Sequence, residues 1–198
     1  MKRHWVRWFC FYILTLLTFS VSAAETLTID REHSYVLWHI KHFNFSTQSG
    51  KWYAEGTLVL DKEKLQNSKV NVTIPVANMV TGIAELDKHL KGKLFFDVKQ
   101  FPIATFVSDK VVVTGKKTAK VIGTLTVHGI SKPVTLNVKL NHVGVNPITE
   151  KMTVGFSAHT KLKRSDFGIN TLLPGLSDEV KIDIEVEAFK ENGSQNAN

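Results

Sequence analysis

The chain has 198 residues, a formal charge of +7 and one cysteine, Cys10. Three of its basic residues, Lys2, Arg3 and Arg7, fall in the first seven positions, so most of the remaining sequence is only mildly basic. That balance argues against a nucleic-acid partner, whose phosphates call for a concentrated basic face.

The first element is a leader. After "MKRHWVR" comes the apolar run "WFCFYILTLLTFSV", shorter than the roughly 20 residues a membrane-spanning helix needs. The small residues of "SAAE" then suit cleavage after Ala24. Residues 1–24 are therefore expected to be a secretory signal peptide, leaving 174 residues with a charge of +4 and no cysteine. Disulfides, thiolate nucleophiles and cysteine metal sites are excluded from such a chain. It must be held by its own core, and its length suffices for one domain over 25–190. Residues 191–198 are expected to be a disordered polar tail.

From there the hydrophobic period is two. "SYVLWHIKH" places Val36, Trp38, Ile40 and His42 on one face. "GKWYAEGTLVL" brings Trp52 and Leu58, with the small Ala54 and Gly56 in phase with Trp52. "SKVNVTIPV" alternates Val70, Val72, Ile74 and Val76 with Lys69, Asn71 and Thr73. Such alternation marks strands with one apolar and one wet face, as in antiparallel sheets. The next stretch differs. "GIAELDKHLK" (82–91) predicts a short helix with Ile83, Leu86 and Leu90 on one side, and "LFFDVKQFP" follows with Phe96 in an aromatic loop. A helix and loop between two strands suit a lip or plug over a barrel mouth. Alternation then resumes through Phe106, Gly123 and Leu125, "PVTLNVKL", Phe156 and Ala158, and "EVKIDIEVEA" with Ile182.

Turn signals at 47–50, 61–68, 114–117, 128–133 and 146–151 separate eight or nine strands. The fold class is all-β: an antiparallel barrel or sandwich with one short helix. An eight-stranded barrel can be filled by side chains or can hold a ligand, and the small inward residues leave both open.

No catalytic constellation emerges. "GFSAH" lacks the second glycine of a nucleophile elbow, "GKKT" lacks the upstream glycine of a phosphate loop, and "SDFG" stands without a glycine-rich or catalytic loop. Asp87 and His89 could form an acid/base pair, but residues two apart on a helix do not face one another. No histidine pair has helical chelate spacing, and His39 and His42 point to opposite faces of one strand, so no metal site is expected.

Together the motifs "DREHS" (30–34), His42, "LDKHLKGKLFFDVKQFPIATFVS" (86–108), "GTLTVHGISKPV" (123–134), "KRSDFGI" (163–169) and "SDEVKIDIEVEA" (177–188) resemble the YceI-like polyisoprenoid-binding family of bacterial periplasmic proteins. The resemblance spans about Leu27 to Phe189. One departure is Leu86, where the family commonly has arginine. The resemblance implies an extended lipocalin-like antiparallel barrel, a periplasmic location, and a hydrophobic small-molecule ligand: a polyisoprenoid, an isoprenoid quinone or a fatty-acid derivative. It also implies transient membrane contact, often a homodimer, no cofactor and no established reaction. The expected tail contacts are Val36, Trp38, Ile40, Trp52, Leu58, Phe96, Phe106, Phe156 and Ile182. The expected head-group contacts are His42, Asp87, His89 and Arg164. The alternatives are an enzyme acting on a lipid head group with those polar residues, and a stress-related structural protein with a filled core.

Overall fold

The alternating runs pair into ten strands in the computed structural model, which describes residues 24–191; the expected leader and tail fall outside the described residues, apart from Ala24 and Glu191 at their edges. The strands are β1 (Glu25–Ile29), β2 (Tyr35–His42), β3 (Ser46–Tyr53), β4 (Glu55–Leu60), β5 (Lys69–Pro75), β6 (Ile103–Gly115), β7 (Thr118–Val127), β8 (Ile130–Val145), β9 (Met152–Lys163) and β10 (Leu176–Phe189), with α1 (Ala84–Leu90) between β5 and β6. Neighbours run antiparallel in the order β1-β4-β5-β6-β7-β8-β9-β10, and β1 returns to β10, closing an eight-stranded barrel.

β10 is shared between two partners. Its last residues pair with β1 through Ile29↔Ala188, and its earlier ones pair with β2 from Glu185↔Tyr35 back to Leu176↔His42. Where β1 gives way to β2, the Asp30 N–H reaches Glu187 O at 2.8 Å, but neither strand offers an acceptor to the Glu187 N–H. Ser34, with no exposed surface, fills the fork. Its hydroxyl donates to Glu187 O and accepts from Glu187 N–H, both at 3.1 Å. The "DREHS" motif thus ends in the residue that lets one strand serve two neighbours.

β3 lies outside β2 and extends the wall. The sequence reading placed a turn at 47–50, but those residues are strand; the turn sits one step earlier, with Phe43 at φ 47° and Asn44 at φ 60°. The polar composition of "STQSG" hid the strand, because its inward positions are not a row of aliphatics. One of them, Gly50, must stay bare: a Cβ there would stand 2.5 Å from Cζ2 of Trp38. The far edge of β3 meets the segment after β5 through reciprocal Lys51–Val80 backbone bonds of 2.9 Å.

Two apolar clusters hold the ends. One, at the end carrying α1, gathers Trp38, Trp52, Met79, Leu90, Phe95, Ile169, Leu176 and Ile182; the other joins Leu27, Ile29, Val154 and Ala188. Gly123, read as a small cavity lining, instead makes room for a neighbour, since a Cβ there would lie 2.7 Å from the Phe106 ring.

Candidate functional site: a cavity through the barrel

Between the two clusters lies a cavity of about 820 Å³, within the range typical of small-molecule sites. Its walls are the inward rows of all the barrel strands. Many of these side chains are only half-buried although they point to the middle of the molecule: Val36, Ile40, Leu58, Val72, Leu136 and Ile184 are examples. In a filled core such residues would be closed off by their opposite numbers. Here they face open space, so the cavity reading prevails over the filled core.

Twelve of the thirteen expected contacts line this space: Val36, Trp38, Ile40, His42, Trp52, Leu58, His89, Phe96, Phe106, Phe156, Arg164 and Ile182. For the nine that lie on strands the reason is phase. Inward rows of a barrel share one space whichever strand they come from.

Asp87 is the exception. Its Oδ1 accepts from Thr81 N–H at 2.8 Å and from the Thr81 hydroxyl at 2.6 Å. It ties the chain entering α1 to the helix and does not line the cavity. Asp87 and His89 share no hydrogen bond among the described residues, so the acid/base pair does not form.

Arg164 lines the cavity at the α1 end but its guanidinium is occupied. Nε donates to Ser177 O (3.0 Å), one Nη to Ile169 O (2.9 Å) and Thr171 O (2.8 Å), and the other to Leu176 O (2.9 Å). It is 7% exposed. Burial pushes its pKa down and the nearby Asp178 carboxylate pushes it up, yet a guanidinium stays charged at any ordinary pH. Asp178 in turn is held below the usual carboxylate range by the Ser165 N–H (2.9 Å) and hydroxyl (2.8 Å). "KRSDFGI" is therefore a clamp on the loop between β9 and β10, in which a charged fork replaces secondary structure for four carbonyls.

The lip acts as a packed plug. Leu90 and Phe95 of this segment are buried, and Phe96 meets Trp52 edge-to-face with centroids 5.2 Å apart. Trp52 Nε1 donates to Val76 O at 3.0 Å. Leu86, the departure from the family pattern, is apolar and lines the cavity. His42, His89 and Leu172 bring exposed surface to the lining at this end.

The sequence reading missed the other end. There the cavity reaches the surface between the β4–β5 connection and the β6–β7 turn, where the exposed Leu65, Val113 and Val143 are joined by Lys62, Lys69, Lys116 and Lys117. Only the register places these turn residues over the barrel axis.

A second cluster was also not anticipated. Asp30, His33 and Glu187 bring ligand-type atoms within 4.8 Å of one another on the outside of the barrel. Its visible chemistry is an ion pair, His33 Nδ1 to Asp30 Oδ2 at 2.9 Å. Burial works to raise the Asp30 pKa, but hydrogen bonds from the His33 ring and the Glu32 N–H leave it lowered. The same Asp30 contact raises that of His33.

Comparison with known proteins agrees with this architecture. The YceI-like domain model matches residues 27–188. The chain belongs to the YceI-like family. It is 39% identical over 186 residues to Protein YceI of Salmonella agona, covering 92% of this chain and 96% of that one. It is 38% identical over 189 residues to a UPF0312 protein of Pseudomonas putida strain GB-1, covering 91% and 97%. Among solved structures, this YceI-like chain superposes on BcnA of Burkholderia cenocepacia with a TM-score of 0.73 at 27% identity, covering 80% of this chain and 98% of that one. A polyisoprenoid-binding domain from Saccharophagus degradans shares the fold at a TM-score of 0.62 and 14% identity, covering 85% and 99%.

Proposed function

We propose that this protein is a periplasmic carrier that holds one long-chain amphipathic lipid, a polyisoprenoid, an isoprenoid quinone or a fatty-acid derivative, in its barrel. The observation that carries the reading is the apolar cavity of about 820 Å³, whose inward side chains stay half-buried. A dozen buried chain carbons contribute roughly 10 kcal/mol gross at about 0.8 kcal/mol each, of which ordering the chain removes several. Micromolar to nanomolar affinity is within reach of such walls. The printed description of the Saccharophagus domain as polyisoprenoid-binding supports the ligand class, and the signal peptide expected from the sequence of residues 1–24 supports export to the periplasm, with transient contact at the membrane where the lipid is exchanged. The role is binding rather than catalysis, because Asp87 and Arg164 are committed to holding loops.

The test is native mass spectrometry of the protein expressed with its leader, then organic extraction of what it carries. A stoichiometric lipid adduct is expected. A ligand-free protein that also rejects added polyprenols and quinones would refute the reading.

A further inference from the structure

The charged residues of the cavity lining all carry one sign. Lys62, Lys69, Lys116, Lys117 and Arg164 line it, and among the described residues no aspartate or glutamate does. Four of the five stand together at the mouth away from the plug; Arg164, at the plug end, already donates to four carbonyls.

Three acids near the mouth are committed elsewhere, and the fourth, the exposed Glu63, does not line the cavity. Glu25 takes Lys62 Nζ at 2.8 Å and Lys190 Nζ at 3.5 Å. Asp61 accepts from the Glu63 and Lys64 amides and from Asn67. The Asp109 carboxylate receives the Thr124 hydroxyl, while its backbone carbonyl accepts from Lys69 Nζ at 3.0 Å. Lys116 and Lys117 make no ion pair among the described residues. They sit on the β6–β7 turn beside the exposed Val113, so a tail in the barrel would bring its polar end within their reach.

From this we infer that the cargo is an anionic amphiphile, with a phosphate, diphosphate or carboxylate head, seated tail-first so that the head meets the lysine mouth. The inference rests on the carrier reading and sharpens it. A one-signed rim over low-dielectric walls focuses its field on the opening, and the long lysine stems can lie on apolar surface while their ammonium groups reach the head. A neutral quinone or alcohol would gain nothing from these charges. A cationic head would be repelled.

The experiment compares two ligands with the same tail, geranylgeranyl diphosphate and geranylgeraniol, by displacement of an apolar dye from the purified protein. The diphosphate is expected to bind about tenfold more tightly at low salt, as several partly exposed charge pairs acting together allow. The preference should shrink in 0.5 M salt, where the Debye length falls to about 4 Å. In the Lys116→Gln, Lys117→Gln double variant the ratio of the two affinities should fall towards one. In Lys93→Gln, Lys99→Gln, at the plug end, it should persist. Equal binding of the two ligands would overturn the anionic-head inference and leave the carrier reading standing. So would a preference that survives loss of Lys116 and Lys117, or capture by anionic vesicles with no preference between the ligands. Binding of neither ligand would overturn both.

Discussion

Ala158 offers a direct test of whether the middle of the barrel is open. It lies on β9 between Val138 and Ile184, all three on the cavity wall. Ala158→Phe projects a ring into the lumen. In a filled core the ring would force its neighbours off their rotamers, costing about 1–3 kcal/mol. In an open cavity it meets no opposing side chain and covers half-exposed apolar surface instead. Complete burial would give about 1.5–3 kcal/mol, and a ring only partly enclosed gives less, so stability should be unchanged or rise by up to about 2 kcal/mol. The midpoints of the two cases differ by about 3 kcal/mol, or on the order of 10 °C in Tm for a barrel of this size. Denaturant unfolding and a thermal scan would measure it, with dye binding recorded on the same samples. The expected result is an undiminished Tm with dye or lipid binding weakened at least tenfold. A loss of more than about 2 kcal/mol with dye binding intact would show that the space at Ala158 is already occupied.

Other consequences are more local. Ser34→Ala leaves the Glu187 N–H without its acceptor, while Glu187 O keeps the Asp30 N–H, and should cost about 1–2 kcal/mol in chemical denaturation, the penalty for one buried donor left unpaired. Arg164→Lys cannot reproduce the fork that serves four carbonyls; a loss of about 2–4 kcal/mol should appear in unfolding, and added ligand should not selectively rescue it. Asp87→Asn weakens the tie to Thr81 and should cost about 1 kcal/mol, with dye displacement showing the lipid affinity of the parent. The Asp30–His33 pair predicts a pH signature. The lowered Asp30 pKa gives stability lost as pH falls through its folded value, and the raised His33 pKa gives stability lost as pH rises through its own. Both are fully present only between roughly pH 4 and 6.5. The destabilisation by His33→Ala should therefore be larger at pH 5.5 than at pH 8.5, by less than about 1 kcal/mol for so exposed a pair.

The legibility of this chain follows its periodicity. β2, β5 and β10 were readable because each sets an inward apolar row against an outward polar one, and the barrel gathered nearly all the expected wall residues from that phase alone. β3 was readable only at its Trp52 end. Its inward face includes Gly50, kept small by Trp38 across the hairpin, and that constraint exists only once the strands are paired. Polar residues misled for a related reason. Asp87 and Arg164 look like head-group ligands because a charge beside an apolar run needs a partner, but their partners are a nearby hydroxyl and amide and four loop carbonyls. The lysine mouth came from neither pattern nor motif: Lys62 and Lys69 flank one connection, Lys116 and Lys117 form another, and only closure of the ring sets them around one opening.

The distribution of the core explains how such a barrel can keep an open lumen. Most of its tightly packed residues are divided between the two ends, with Leu27, Ile29, Val154 and Ala188 at one and the tryptophans, Leu90 and Phe95 at the other. Continuous ladders through β6, β7, β8, β9 and β10 join them. Folding therefore does not depend on filling the middle, and a ligand adds stability by mass action, about 2.7 kcal/mol at a hundred times its Kd. Because Leu27 is buried and does not line the cavity, a bound tail would not touch it, and that gain should appear with the variant Leu27→Ala as fully as with the parent. A thermal-shift titration on both proteins with the same lipid tests this. Equal shifts place the tail in the lumen, whereas a shift lost in Leu27→Ala would mean that the ligand is needed to complete the core at that end.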